Sequence, residues 1–118
     1  MNDYKVIIVG QDPYPRREIR TEYAFEYRGD KMPSSFRNLM IATGNPLSLI
    51  QDGSLAMWRR NGILTANTYD EIGDREYSNY LNMLNKEHNP AETIWILLGA
   101  QAQHYVNKYI EADSIRYL

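Results

Sequence analysis

The residues best equipped for chemistry stand in the stretch Gly-Gln-Asp-Pro-Tyr-Pro at 10–15. Asp12 supplies a carboxylate at the end of an apolar run, where it can orient a water or take up a proton. Pro13 and Pro15 each fix φ at about −65° and bias the preceding residue towards extended backbone. Those preceding residues are Asp12 and Tyr14, so both side chains are held in set directions. A plain Asp-Pro turn accounts for the dipeptide alone; its attachment to an apolar strand, with a glutamine in front, favours a functional site. A second chemical group is Asn67, which closes the run Ile-Leu-Thr-Ala at 63–66. Its amide carries one acceptor and two donors, enough to pair with a neighbouring donor and acceptor together. A turn role is the ordinary alternative for an asparagine in that place.

The elements that position these groups follow from pattern. Short, continuously apolar runs at 4–9, 63–66, 93–98 and, more weakly, 114–118 suit strands covered on both faces. Helical spacing marks 35–42, which starts at a serine and stops before Gly44. It also marks 54–61, starting at Ser54 and ending before Gly62. Tyr77, Tyr80, Leu81 and Leu84 share a stripe in 74–88, and Ala102, Val106 and Ile110 share one in 100–110. Strands alternating with helices predict an α/β fold: a three-layer sandwich whose central, mostly parallel four-stranded sheet is flanked by helices. Such sheets bind ligands at the carboxyl ends of their strands. Residues 10–15, 67–69 and 99–101 all follow strand ends, so they are expected to converge on one edge.

Composition bounds what this edge can serve. The chain has 118 residues, 43% hydrophobic and 24% charged, with a net charge of −2. That is one ordinary domain, 1–118, without a general electrostatic pull on nucleic acid. Without cysteine, disulfides and thiolate metal sites are excluded, a zinc deaminase among them. No glycine-rich phosphate loop is present. No apolar run approaches the roughly 20 residues of a membrane span, and no signal-peptide core opens the chain. Arg16, Arg17 and Arg20 follow the motif, and Arg28, Lys31, Arg37, Arg59 and Arg60 lie elsewhere. Gathered on the strand-end edge, they would hold phosphates. Glu18, Glu22 and Glu26 alternate with them, so a solvated mixed face fits equally well. His88 suits a helix C-terminus, and His104 is given no role. Ten tyrosines against two phenylalanines is an unusual balance to which composition alone assigns no function.

The stretch GQDPYP resembles the water-activating motif of the uracil-DNA glycosylase superfamily, whose best-known form reads GQDPYH. Further matches follow in the family's order. YAF at 23–25 resembles the segment carrying the base-stacking phenylalanine. MPSSFRNL at 32–39 resembles the phosphate-clamping loop and its helix. WRRNGILTAN at 58–67 resembles the strand leading to the uracil-reading asparagine. IWILLGAQAQ at 94–103 resembles the strand and glycine turn beside the flipped nucleotide's backbone.

The resemblance implies a single glycosylase-like domain, short of the family's N- and C-terminal segments, that excises uracil from DNA by base flipping and metal-free hydrolysis. It implies that Asp12 orients the water and stabilises the cationic sugar. Gln11 offers its backbone N–H to a uracil oxygen, Tyr14 walls off the 5-position, Phe25 stacks on the base, and Asn67 reads N3–H and O4. Pro33, Ser34, Ser35 and Gly99 contact the DNA backbone. No metal or other cofactor is implied, and no membrane. The protein would act on uracil-containing DNA as a monomer inside the cell, in the cytoplasm or nucleus.

The chain departs from the family in four places. Pro15 replaces the motif's histidine, Ala100 replaces a serine, and 68–77 does not match the usual sequence. The family's histidine-proline-serine loop is absent, the chain stopping about where it would begin: either the sequence is truncated or this member works without the loop. Losing a donor to the leaving group costs about 10²–10³ in rate by analogy with oxyanion holes. A weak or inactive member that binds uracil or DNA is therefore the alternative. An α/β interaction domain whose resemblance is inherited and idle is a third reading.

Overall fold

The computed structural model describes residues 4–110 and the backbone of 114–117. Three strands pair in a parallel sheet: β1 (Val6–Gly10), β2 (Ile63–Asn67) and β3 (Ile94–Leu97). β1 lies between the other two, with Val6 level with both Ile63 and Ile94. The backbone of β4 (Ser114–Tyr117) runs parallel beside β3, giving the order β2-β1-β3-β4. Leu118, expected at the end of that last strand, lies outside the described residues.

Alternation along β1 explains why its run is apolar throughout. Ile7 and Val9 turn to one face, where they meet Leu81 and Leu84 of α3 (Asn79–Glu87) and Ala102, Tyr105 and Val106 of α4 (Ala100–Tyr109). Ile8 turns to the other face, against Phe36, Leu39 and Met40 of α1 (Ser34–Ala42) and Leu55 at the head of α2 (Ala56–Arg60). Successive strand residues face opposite ways, so a strand with helices on both sides must be greasy at every position. Each fully buried large apolar side chain contributes about 1.5–3 kcal/mol. Trp95 on β3 is the largest of them and anchors the α3–α4 side.

Helix boundaries depart from the sequence expectations. α3 starts at Asn79 rather than Asp74, because Ser78 caps it by accepting from the Leu81 N–H at 3.4 Å. The stretch before it is turned instead: the Asp74 N–H donates to the Glu71 carbonyl and the Asp74 carboxylate accepts from the Glu71 N–H. α1 begins one residue early, at Ser34, with Pro33 in the capping place and no serine side chain capping it. α2 starts at Ala56 behind Leu55; Ser54 sits one place further out, though its hydroxyl still accepts from the Ala56 N–H at 3.2 Å. Among the described residues no helix is long and apolar enough to cross a membrane.

Candidate active site

The parallel register sets Gly10 level with Asn67, so the two strands end together. At that edge opens a cavity of about 570 Å³ whose lining includes Gln11, Asp12, Tyr14, Phe25, Ser35 and Asn67. The carboxylate and the amide singled out from sequence therefore share one cavity. Gly10 lies beneath both walls. A Cβ at Gly10 would stand 2.7 Å from Phe25 Cζ and 3.3 Å from Asn67 Oδ1, so the ring crosses bare backbone that only glycine leaves open.

Backbone pairing holds the Asp12 wall. Beyond the strand ends, the Gly10 carbonyl accepts from the Thr68 N–H at 2.9 Å and the Thr68 hydroxyl at 2.7 Å. The Gln11 carbonyl accepts from the Tyr69 N–H at 3.0 Å. Arg20 then straps the loop from the far side. Its Nε donates to the Tyr14 carbonyl, and its Nη1 donates to both Glu71 oxygens, at 2.9 and 3.0 Å. Asp12 is half-buried. Burial, and secondarily the negative charge of Asp74, push its pKa above the ordinary carboxylate value of 3.8. Each influence disfavours the anion, which raises the affinity of Asp12 for a proton taken from water.

Side chains from distant segments hold the Phe25 wall. Phe25 has φ +68, a left-handed conformation costing about 1–3 kcal/mol unless its surroundings impose it. The Ala24 carbonyl accepts from the Thr65 hydroxyl at 2.7 Å, and the Phe25 carbonyl accepts from the Tyr14 hydroxyl. The Tyr27 N–H donates to the Gly53 carbonyl at 3.2 Å, across an approach where a Cβ on Gly53 would lie 2.3 Å from the Tyr27 oxygen. Glu26 corrects the expectation of a solvated mixed face: it is 7% exposed. One carboxylate oxygen accepts from the Leu55 N–H at 2.7 Å and from Arg59 at 2.9 Å. Burial opposes its charge, but hydrogen bonds from Leu55, Thr21 and Arg59 outweigh this and hold its pKa below the usual range. The Arg59 guanidinium in turn lies 3.7 Å from the centre of the Tyr23 ring.

The remaining expected residues lie around this cavity with different intimacy. Ser35, exposed on the first turn of α1, borders the cavity beside Tyr14. Pro33 and Ser34 stand beside it at the head of α1, and Gly99 heads α4 with φ +93; these three do not line the cavity. The α4 end is nevertheless tied to it, because the Tyr69 hydroxyl donates to Gln101 Oε1 at 2.9 Å. Of the arginines after the motif, Arg16 pairs with Glu18 and both Arg17 and Arg20 pair with Glu71. Sequence reasoning passed over Thr68, Glu71 and Glu26. Thr68 and Glu71 lie in the segment that fits no pattern, and Glu26, read with Glu18 and Glu22 as part of a solvated mixed face, gives no local sign of burial.

This geometry can be set beside known proteins. The uracil-DNA glycosylase of Mesomycoplasma hyopneumoniae is 31% identical over 113 residues, 84% of this chain and 51% of the relative. That of Mycoplasma genitalium is 31% identical over 134 aligned positions, 98% of this chain and 54% of the relative. The chain belongs to the uracil-DNA glycosylase superfamily. The uracil-DNA glycosylase of Bacillus subtilis agrees, at 28% identity over 86% of this chain and 51% of its own length. No family model matches the chain. The chain spans about half the length of these curated glycosylases.

Proposed function

We propose that this chain is a uracil-DNA glycosylase that flips uracil out of DNA and hydrolyses its N-glycosidic bond without a metal, the first step of base excision repair. The observation carrying this reading is the shared cavity in which Asp12 and Asn67 stand with the Phe25 ring beside them. Breaking the bond builds positive charge on the sugar and negative charge on the departing base. Asp12 orients the attacking water, takes up its proton and stabilises the oxocarbenium-like sugar, as carboxylates do in glycoside hydrolysis. The Gln11 backbone N–H receives a uracil oxygen. Phe25 stacks on the ring, a contact of about 1–3 kcal/mol. Asn67 accepts from N3–H and donates to O4; cytosine presents the opposite pattern there and leaves buried groups unpaired. Tyr14 blocks a methyl at the 5-position. Pro33, Ser34, Ser35 and Gly99 meet the backbone on either side of the extruded nucleotide, the head of α1 suiting a phosphate.

In this reading residues 1–118 form a single glycosylase-like domain whose sheet is completed to four strands by β4. It works as a monomer inside the cell, cytoplasmic or nuclear, on uracil-containing DNA. The test is incubation of a uracil-containing oligonucleotide with the protein, followed by alkali. Cleavage at the uracil position, lost in Asp12→Asn, is expected. Binding without cleavage would make the chain a non-catalytic member, and neither binding nor cleavage would sink both readings.

A further inference from the structure

We propose that Glu26 is a positioning residue that holds the Phe25 ring across Gly10. For its catalytic consequence this rests on the glycosylase reading above; the geometry stands on its own. Phe25 sits in a left-handed backbone conformation, and its apolar ring has no hydrogen bond with which to fix itself. The residue after it is a carboxylate nearly removed from solvent. Burying a charge is costly, and an apolar side chain of similar volume is often as stable in such a place. Stability therefore does not account for a glutamate here, whereas placement does.

Glu26 borders the cavity, yet its Oε1 is turned to the Leu55 N–H and to Arg59. Both partners are far along the chain, at the head and in the body of α2. Arg59 carries the restraint further, since it also packs on Tyr23, two residues before Phe25. The turn is thus gripped on both sides of the ring by one ion pair. Directional, charge-assisted bonds suit this task, because they fix orientation as well as proximity. Leu55 adds rigidity: it is buried among the core residues that pack beneath α1.

The experiment compares wild type with Glu26→Gln, nearly isosteric but neutral, and with Arg59→Lys, which keeps a cation but loses the planar guanidinium. Circular dichroism establishes that each variant is folded. The first readout is the Gly10 α-proton resonance, shifted by the ring current of Phe25 in wild type. In both variants that displacement is expected to shrink towards the value in Phe25→Ala. The second readout is excision in single and double variants. Glu26→Gln is expected to lower kcat about tenfold to a hundredfold, as misplacement of a stacking group would. It is expected to cost nothing further in a Phe25→Ala background. Unchanged Gly10 resonances in a folded variant, or an equal loss in both backgrounds, would overturn the proposal. Should wild type show no excision, the glycosylase reading falls, and the Gly10 resonance alone still decides what Glu26 does.

Discussion

The Asp12 wall of the cavity is held chiefly by backbone pairing at the strand ends, whereas the Phe25 wall is held chiefly by side chains from distant segments. Gly10 and Gln11 prolong the parallel pairing of β1 with β2 past the last ladder residues, and Pro13 and Pro15 stiffen the loop beyond them. The turn at 23–27 belongs to no strand; beyond the antiparallel bridge of Tyr27 with Arg20, it takes its restraints from Thr65, Tyr14, Gly53, Leu55 and Arg59. The carboxylate is carried by stiff backbone, while the Phe25 ring is carried by a turn whose restraints come from segments distant in sequence. The two walls meet where Tyr14, from the first, donates its hydroxyl to the Phe25 carbonyl of the second.

Breaking the first wall's chemistry should have the largest effect. Asp12→Asn is expected to lower excision by about 10²–10⁴, the range for losing a positioned proton acceptor. Its thermal midpoint at neutral pH should equal or exceed that of wild type. The folded-state pKa of Asp12 lies above the unfolded one, so its contribution to stability is present at low pH and lost as pH rises through the folded value. The neutral amide removes that loss. A marked fall in midpoint would show that the charge supports the fold instead.

Gly10→Ala strikes the point where the walls touch. The new methyl would displace the Phe25 ring, and a fall in kcat of about tenfold to a hundredfold is expected, with overpacking costing about 1–3 kcal/mol. Unchanged activity would mean that the ring need not cross Gly10.

Tyr14→Phe removes the bond joining the walls while keeping the ring that borders the cavity. A loss of about 0.5–1.5 kcal/mol in denaturant unfolding is expected, with a smaller fall in activity than either preceding change. The smallest effect belongs to Asp74→Asn. The acid limb of the excision profile should lie above the ordinary aspartate value, because burial and then Asp74 raise the Asp12 pKa. Removing Asp74's charge should move that limb to lower pH without abolishing its displacement, since burial is the larger cause. A limb that stays put would show that Asp74 does not act on Asp12.

The same contrast explains how much could be read in advance. The apolar runs, the glycines after α1 and α2 and the proline-braced aspartate are local signals, and they led to the parallel sheet, the edge it presents and the partners Asp12 and Asn67. The clamps on Phe25 were illegible because each joins residues far apart: Thr65 to Ala24, Leu55 and Arg59 to Glu26. Helix starts were misplaced for a related reason. A proline took the capping place at α1, and Ser78 rather than Asp74 caps α3, with Asp74 turned back onto Glu71.

One titration bears most directly on the gripping of a single extruded pyrimidine between Asp12 and Asn67. Free uracil is added to isotope-labelled protein and the amide resonances are followed. The account predicts saturable shifts at Gly10, Gln11, Phe25 and the Asn67 side-chain amide, absent with thymine. Shifts confined to a separate groove lined by Arg60 and Met83, between α2 and α3, or none at any uracil concentration, would contradict it.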